Sequence, residues 1–302
     1  MQQTFLVTGG AGFIGTNLVH FLVEQGQRVK VVDDLTAGNR ERLPDAIDFY
    51  KLDIRDTAAL SILCKEVDVI IHLAALPRLQ FSIDHPQVAH DVNITGTLSV
   101  LEAARSARVK RIVYAASSSA YGDQETLPLT TDLPPQPKTP YALQKYVGEA
   151  YMKLWSELFG MQTVSLRFFN VYGPHLDPDG AYALVIGRFL KQASEGQPLT
   201  IVGDGEQTRD FTHVRDVVSA LYQAAESDKV GKGEVFNVGA GIQTTINQLS
   251  KLIGGEVTYV PARTEAKHSL ADISVTKEVL GWEPEVRLED GIAELKTEFG
   301  LL

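Results

Sequence analysis

The sequence predicts an α/β protein, a doubly wound parallel sheet followed by a smaller C-terminal α/β domain. Three observations predict it. Short β-branched runs alternate with helical patterns through the first half. Those runs are apolar without polar alternation, as expected for strands covered on both faces and joined by right-handed crossovers. A glycine-rich turn stands between the first strand and the first helix. In order, the pattern gives a strand at Thr4–Thr8, a helix at Phe13–Gln25, and strands at Arg28–Asp33 and Ile47–Asp53. A helix at Thr57–Glu66 leads to the strongly apolar strand Val67–Ala74. The long helix Val88–Ala107 leads to the strand Arg111–Ala116, and a second long helix, Tyr141–Phe159, to the strand Thr163–Phe169.

The second half is less regular. It has short strands at Leu199–Val202, Val235–Val238 and Val257–Val260 and shorter helices. We divide the chain into 1–170 and 171–302, the second part interleaved with the first and packed over the carboxyl ends of its strands. The segment Leu127–Pro140 carries Pro128, Pro134, Pro135, Pro137 and Pro140, and reads as a fixed loop entering the helix at Tyr141.

A chain of 302 residues, 44% hydrophobic and 22% charged, is globular in composition. Its formal charge of −10 argues against a general binder of nucleic-acid backbones, so an anionic ligand must be held by local basic residues. The single cysteine, Cys64, excludes an intramolecular disulfide and a thiolate metal cluster, and reads as a small buried apolar residue. The apolar run Phe5-Leu6-Val7 is too short for a signal peptide, and no stretch approaches the ~20 apolar residues of a membrane span. The expectation is a cytoplasmic protein.

Thr8-Gly9-Gly10-Ala11-Gly12-Phe13-Ile14-Gly15 lies between a strand and a helix. Glycines there let the chain turn sharply and bring backbone N–H groups to a pyrophosphate at the helix N-terminus. The spacing of Gly9, Gly12 and Gly15 differs by one residue from the Rossmann dinucleotide fingerprint, but its context is right. Asp33 ends the second strand about 20 residues on, where a carboxylate meets ribose hydroxyls. A 2′-phosphate would face Asp33 and Asp34, so NAD is expected rather than NADP, with Arg40 as the competing signal.

Ser117-Ser118-Ser119-Ala120-Tyr121-Gly122 follows the strand at Arg111, and Tyr141-Ala142-Leu143-Gln144-Lys145 opens the next helix. With the glycine loop, these resemble the extended short-chain dehydrogenase/reductase family, above all its nucleotide-sugar 4-epimerases. Matching segments continue at His72-Leu73-Ala74-Ala75, Asn93-Ile94-Thr95-Gly96-Thr97, Arg167 to Pro174, Arg209 to Asp216, Phe236 to Gly239 and His268 to Ser274, so the resemblance runs from Phe5 to about Pro284. It implies that Phe13, Ile14, Asp53, Ile54, Leu73, Ala74, Ala75 and Asn93 join the glycines and acidic residues around the cofactor. It places Asn170 and Arg209 on the uridine or diphosphate side, with Arg263 a further phosphate contact and Glu265 a nominal ribose contact. The segment Arg263-Thr264-Glu265 is one residue shorter than the family pattern, and Leu76-Pro77-Arg78 also departs from it.

Tyr141 and Lys145 are four residues apart on a helix and share one face. A free phenol titrates near pH 10, and a neighbouring lysine cation with the positive nicotinamide ring is expected to lower that value. Lys145 can also bind the nicotinamide ribose, and Ser117 the phenol or the reacting hydroxyl. His213 reads as a packed core residue. Ser269, three residues before Asp272, falls at the family's position near the hexose C2 substituent, with Ser118 a second contact. Serine leaves room for an N-acetyl group where tyrosine fills it.

The resemblance thus implies NAD-dependent 4-epimerisation of a UDP-sugar, of UDP-GlcNAc/UDP-GalNAc with UDP-Glc/UDP-Gal also accepted. Ser118-Ser119 stand where 4,6-dehydratases carry Asp-Glu, and UDP-glucuronate decarboxylases typically carry Glu at Ser119. The alternatives are a UDP-glucuronate 4-epimerase, a 4,6-dehydratase, a net dehydrogenase, or an NAD-binding regulator without chemistry. Relatives of this pattern pair their two long helices in a homodimer, for which Leu98, Leu101, Met152 and Trp155 are the candidate contacts.

Overall fold

A computed structural model describes residues 2–77, 79–177, 185–262 and 267–302. Arg78, Arg263 and Glu265 lie outside them. Seven parallel strands form the central sheet. Their spatial order is Lys232–Val238, Gln162–Phe168, Arg111–Ser117, Val69–His72, Thr4–Thr8, Arg28–Asp33, Asp48–Lys51. Chain order reverses at Thr4–Thr8, the switch point where a doubly wound sheet opens a crevice at its carboxyl edge.

Residues along each strand alternate between two cores. Phe5, Val7, Val29, Val31, Ile71 and Val113 face one side, against Leu18, Val19 and Leu22 of the helix Phe13–Glu24 and Val217 and Leu221 of the helix Val214–Glu226. Leu6, Val32, Ile70 and Ile112 face the other, against Leu60, Val100, Leu101, Met152 and Trp155. Both faces are covered, so the strands read as unbroken apolar runs, and each large side chain buried here contributes about 1.5–3 kcal/mol.

Two expectations change. Strand Lys232–Val238 comes from the second half of the sequence yet forms the sheet's outer strand beside Gln162–Phe168, with a register shift between Lys232 and Glu234. The expected single helix Val88–Ala107 begins at Pro86 and is interrupted by a π-helical turn at Asp91–Thr95 before resuming as Gly96–Ala107. The extra residue of that turn accompanies a side-chain contact of Asn93 across to the neighbouring helix. Other described parts of the second half surround a third core built from Phe189, Leu190, Leu199, Ile201, Leu249 and Leu295. Among the described residues no helix is long and apolar enough to cross a membrane.

The helix Pro140–Phe159 is set by its ends. The Thr139 hydroxyl accepts from the Ala142 N–H (3.2 Å), Pro140 occupies the first turn, and Gly160 closes the helix in the left-handed conformation with φ +66°. The Tyr141 N–H, left over at this N-terminus, donates to the Ser82 hydroxyl at 3.1 Å.

Candidate active site

A cavity of about 390 Å3 opens along the carboxyl edge of the sheet. Gly9, Gly12, Phe13, Ile14, Gly15, Asp33, Asp34, Asp53, Ile54, Leu73, Ala74 and Ala75 line it, together with Tyr141 and Lys145. The glycines are needed for close packing. Gly9 has φ +69°, and a Cβ there would stand 2.7 Å from the Ala74 nitrogen. A Cβ on Gly15 would stand 2.3 Å from the Gly9 carbonyl oxygen. Gly12 caps the helix with no side chain, and the first turn holds no acidic residue, so its N–H groups are left to an anion. Asp33 is buried and fixed by the N–H groups of Leu35 (2.8 Å) and Ala11 (3.0 Å). Burial raises its carboxyl above the usual range, opposed by those two hydrogen bonds. The glycine cradle and the carboxylate beside it fit a dinucleotide with an unmodified ribose.

The Asn93 side chain accepts from the Leu76 N–H (2.7 Å) and donates to the Leu76 carbonyl (3.0 Å) and Gln144 Oε1 (2.8 Å). It holds the Leu76-Pro77 loop, which does line the cavity. Arg40 also moves away from the cofactor question, since its guanidinium lies 5.2 Å over the Phe49 ring. Arg42 joins Lys145 as a cation on the cavity lining, and it donates to the His175 carbonyl at 3.0 Å, a residue 133 positions away. Sequence spacing carries no trace of that contact, nor of His175 and Asp177 on the lining.

At the inner end stand the expected reactive groups. The Lys145 ammonium donates to the Ala115 carbonyl at 2.8 Å and sits 5.0 Å from the Tyr114 ring centre. Burial pushes it down to about 8, opposed by Glu149. Tyr141 departs from the sequence expectation, because burial pushes its phenol up to about 12 and only a hydrogen bond with Ser117 lowers it. Burial and the Ser117 contact by themselves leave the phenol neutral at neutral pH. The Ser117 hydroxyl also accepts from the Ser119 N–H (3.2 Å) and the Ser119 hydroxyl (2.8 Å), so the short helical turn Ser118–Tyr121 fixes it.

The residues expected on the nucleotide side, Asn170, Arg209 and Ser269, meet around Asp210. Asn170 donates to the Asp210 carbonyl (2.9 Å), and the Ser269 hydroxyl accepts from the Asp210 N–H (3.3 Å). Arg209 is held by the carbonyls of Thr208 (2.9 Å) and Lys267 (3.3 Å). The Asp210 carboxylate takes N–H groups from Ala240, Gly241 and Ala271, which ties three loops together. His213 is a core residue as expected, accepting from the Arg215 N–H and packed edge-on to Tyr172. Cys64 is buried and burial pushes its thiol up to about 12, so it is inert.

Three of the four candidate dimer residues are corrections. Leu101, Met152 and Trp155 are buried in the chain's own core, and Leu98 packs half-buried against it.

A doubly wound sheet with a glycine cradle, a ribose carboxylate and a Ser-Tyr-Lys group at the strand ends defines an NAD-binding enzyme of the short-chain dehydrogenase/reductase class. Residues 5–239 match the model of the NAD dependent epimerase/dehydratase family, and the chain belongs to that family. It is 39% identical over 296 residues to a putative UDP-glucose 4-epimerase of Methanocaldococcus jannaschii, covering 95% of each chain. A UDP-glucose 4-epimerase of Thermotoga maritima, solved with UDP-glucose, superposes with a TM-score of 0.93 at 37% identity, over 99% of this chain and 98% of that one. A UDP-N-acetylglucosamine 4-epimerase of Methanobrevibacter ruminantium, solved with UDP-N-acetylmuramic acid, superposes with a TM-score of 0.92 at 33% identity, over 99% and 100%. NAD is the cofactor, and the resemblance to UDP-sugar 4-epimerases read from the sequence is borne out.

Proposed function

We propose that this chain interconverts UDP-hexoses epimeric at C4 through a transient 4-keto sugar, acting on UDP-GlcNAc/UDP-GalNAc and also on UDP-Glc/UDP-Gal. The observation that carries this reading is the convergence of Ser117, Tyr141 and Lys145 at the inner end of the dinucleotide cavity. Bound NAD supplies hydride acceptance and return. Ionised beside the charges of Lys145 and bound NAD, the Tyr141 phenolate would take the proton of the sugar 4-hydroxyl and later give it back, Ser117 would orient that hydroxyl, and Lys145 would hold the nicotinamide ribose with its own positive charge near the phenol. Ser118 and Ser119 offer no carboxylate for eliminating water, so the keto sugar turns over and is reduced on its other face. Asn170 and Arg209 hold the uridine diphosphate. Ser269 supports the N-acetylated pair, since its hydroxyl accepts from Asp210 and keeps its own proton for an acetamide oxygen.

A homodimer fits the surface of the helix Pro140–Phe159. Leu143, Leu154 and Leu158 are 49%, 41% and 62% exposed and, with Val147 and Ala150, form a stripe at three- and four-residue spacing. Val88, 48% exposed, stands on the neighbouring helical segment. A second copy burying these stripes against its own is the proposed partner. The acidic charge and lone buried cysteine suit a cytoplasmic setting. Incubation with a panel of UDP-sugars, without added NAD, tests the reading: interconversion of C4 epimers supports it, and release of NADH with product points to a net dehydrogenase instead.

A further inference from the structure

Asp210 bonds to its surroundings through all three of its polar groups. Its carbonyl accepts from the Asn170 side chain at 2.9 Å, and its N–H donates to the Ser269 hydroxyl at 3.3 Å. Its carboxylate is fully buried and accepts from the N–H groups of Ala240 (2.7 Å), Gly241 (3.1 Å) and Ala271 (2.9 Å). Arg209 precedes it in the chain and donates to the Lys267 carbonyl at 3.3 Å, two residues before Ser269. One residue thus joins its own loop to those of Asn170, Ala240 and Ser269.

The fit around the carboxylate is close. A Cβ on Gly239 would stand 2.9 Å from Asp210 Oδ2 and 2.4 Å from the Ala271 Cβ. Asn170 is held at φ +28°. Such a backbone persists only where the surrounding bonds impose it, and strain of this kind collects at ligand sites. The far end of the Ser269–Asp272 segment is anchored separately, because the Asn237 amide donates to the carbonyls of Leu129 (2.7 Å) and Asp272 (3.0 Å). A carboxylate is costly to bury alone. Three N–H donors offset that cost here, and the outcome is a fixed spacing of Asn170, Arg209 and Ser269.

We propose that Asp210 is a positioning residue for the nucleotide half of the site. Its carboxylate, enclosed by backbone, touches no ligand; it sets the spacing of Asn170, Arg209 and Ser269 so that they close together on a uridine diphosphate. This rests on the reading of those three residues as UDP-sugar contacts. Displacing such groups by about 1 Å is enough to lose much of what they contribute.

The test measures UDP binding by calorimetry, KM and kcat with UDP-Glc, NAD content and thermal unfolding in Asp210→Asn, Gly239→Ala and Asp216→Asn. Asp210→Asn keeps the shape and turns one acceptor into a donor facing backbone N–H groups. Gly239→Ala wedges the same pocket without altering the carboxylate, so it decides the matter if Asp210→Asn does not fold. Asp216 is the matched control, a buried carboxylate that accepts from the N–H groups of Glu285 (3.0 Å) and Val286 (3.2 Å) in a different loop. The expected result for Asp210→Asn is a UDP dissociation constant and a KM raised about tenfold, the size of one lost hydrogen bond to a charged group. Both rise in Gly239→Ala as well, while kcat and NAD content stay near wild type in the two variants. Asp216→Asn lowers the unfolding temperature and leaves UDP affinity unchanged. Wild-type UDP affinity in either site variant that folds overturns the inference, as does an equal loss of affinity in Asp216→Asn. A wild type that does not bind UDP overturns the functional reading as well.

Discussion

Gly15 packs so closely on Gly9 that a Cβ on Gly15 would stand 2.3 Å from the Gly9 carbonyl oxygen. The atom in the way is backbone, so no side-chain rotation relieves the overlap, and the glycine loop must shift. Gly15→Ala is expected to lower the amount of NAD that co-purifies and to destabilise the fold by more than about 1 kcal/mol, since alanine is costly where the native backbone cannot take it. Gly160→Ala is the control: it is strained at φ +66° but has nothing within 4 Å of its Cβ, so it lowers stability while leaving NAD content unchanged. Equal NAD loss in both variants would refute the cradle.

His213 is buried, and burial pushes it down to about 4. As pH falls below the unfolded value of about 6.5, the unfolded chain binds a proton that the native chain refuses, so stability falls with pH until the native value is reached. His213→Gln, whose side-chain oxygen can still accept from the Arg215 N–H, removes this contribution. The stability gap between wild type and variant should narrow by about 1 kcal/mol per unit between pH 6.5 and 4. Urea unfolding across that range checks it, and a constant gap would contradict it.

The parallel sheet is legible in the sequence because burial on both faces leaves its strands as unbroken apolar runs, and the cofactor loop because glycines cluster where a strand gives way to a helix. The Tyr141 and Lys145 pair is legible because helical spacing alone puts it on one face. Arg42 on the cavity lining is not, since its partner His175 is 133 residues away and meets it only in the fold. Nor is the ion pair of Glu149 with Arg167, which joins a helix to the strand after it. Leu101, Met152 and Trp155 mislead for a related reason: an apolar position on a long helix faces the sheet or a partner, and only packing tells which.

The exposed stripe on the helix Pro140–Phe159 makes a direct prediction about assembly. Sedimentation at micromolar concentration should give a dimer for the wild type and a monomer for Leu143→Glu with Leu154→Glu, because charges replace apolar area at the proposed contact. A wild-type monomer would remove the homodimer.

Ser269 lies against Asp210 beside Arg209, where a larger side chain would project from the same loop. Ser269→Tyr should abolish epimerisation of UDP-GlcNAc while sparing UDP-Glc, since filling a pocket rejects the larger sugar and an open pocket excludes the smaller one poorly. Product chromatography with both sugars decides the matter. Equal loss on both, or a wild type that never accepts the N-acetylated sugar, would leave Ser269 without a role in specificity.

Tyr141 bears most of the proposed chemistry, so the turnover of Tyr141→Phe measures it most directly. The variant keeps the ring that fills the site and loses only the hydroxyl that moves the proton. With UDP-GlcNAc or UDP-Glc as substrate, turnover should fall by at least about a hundredfold, the scale of a general acid–base group, while unfolding temperature and bound NAD stay near wild type. Turnover within threefold of wild type would contradict the assignment.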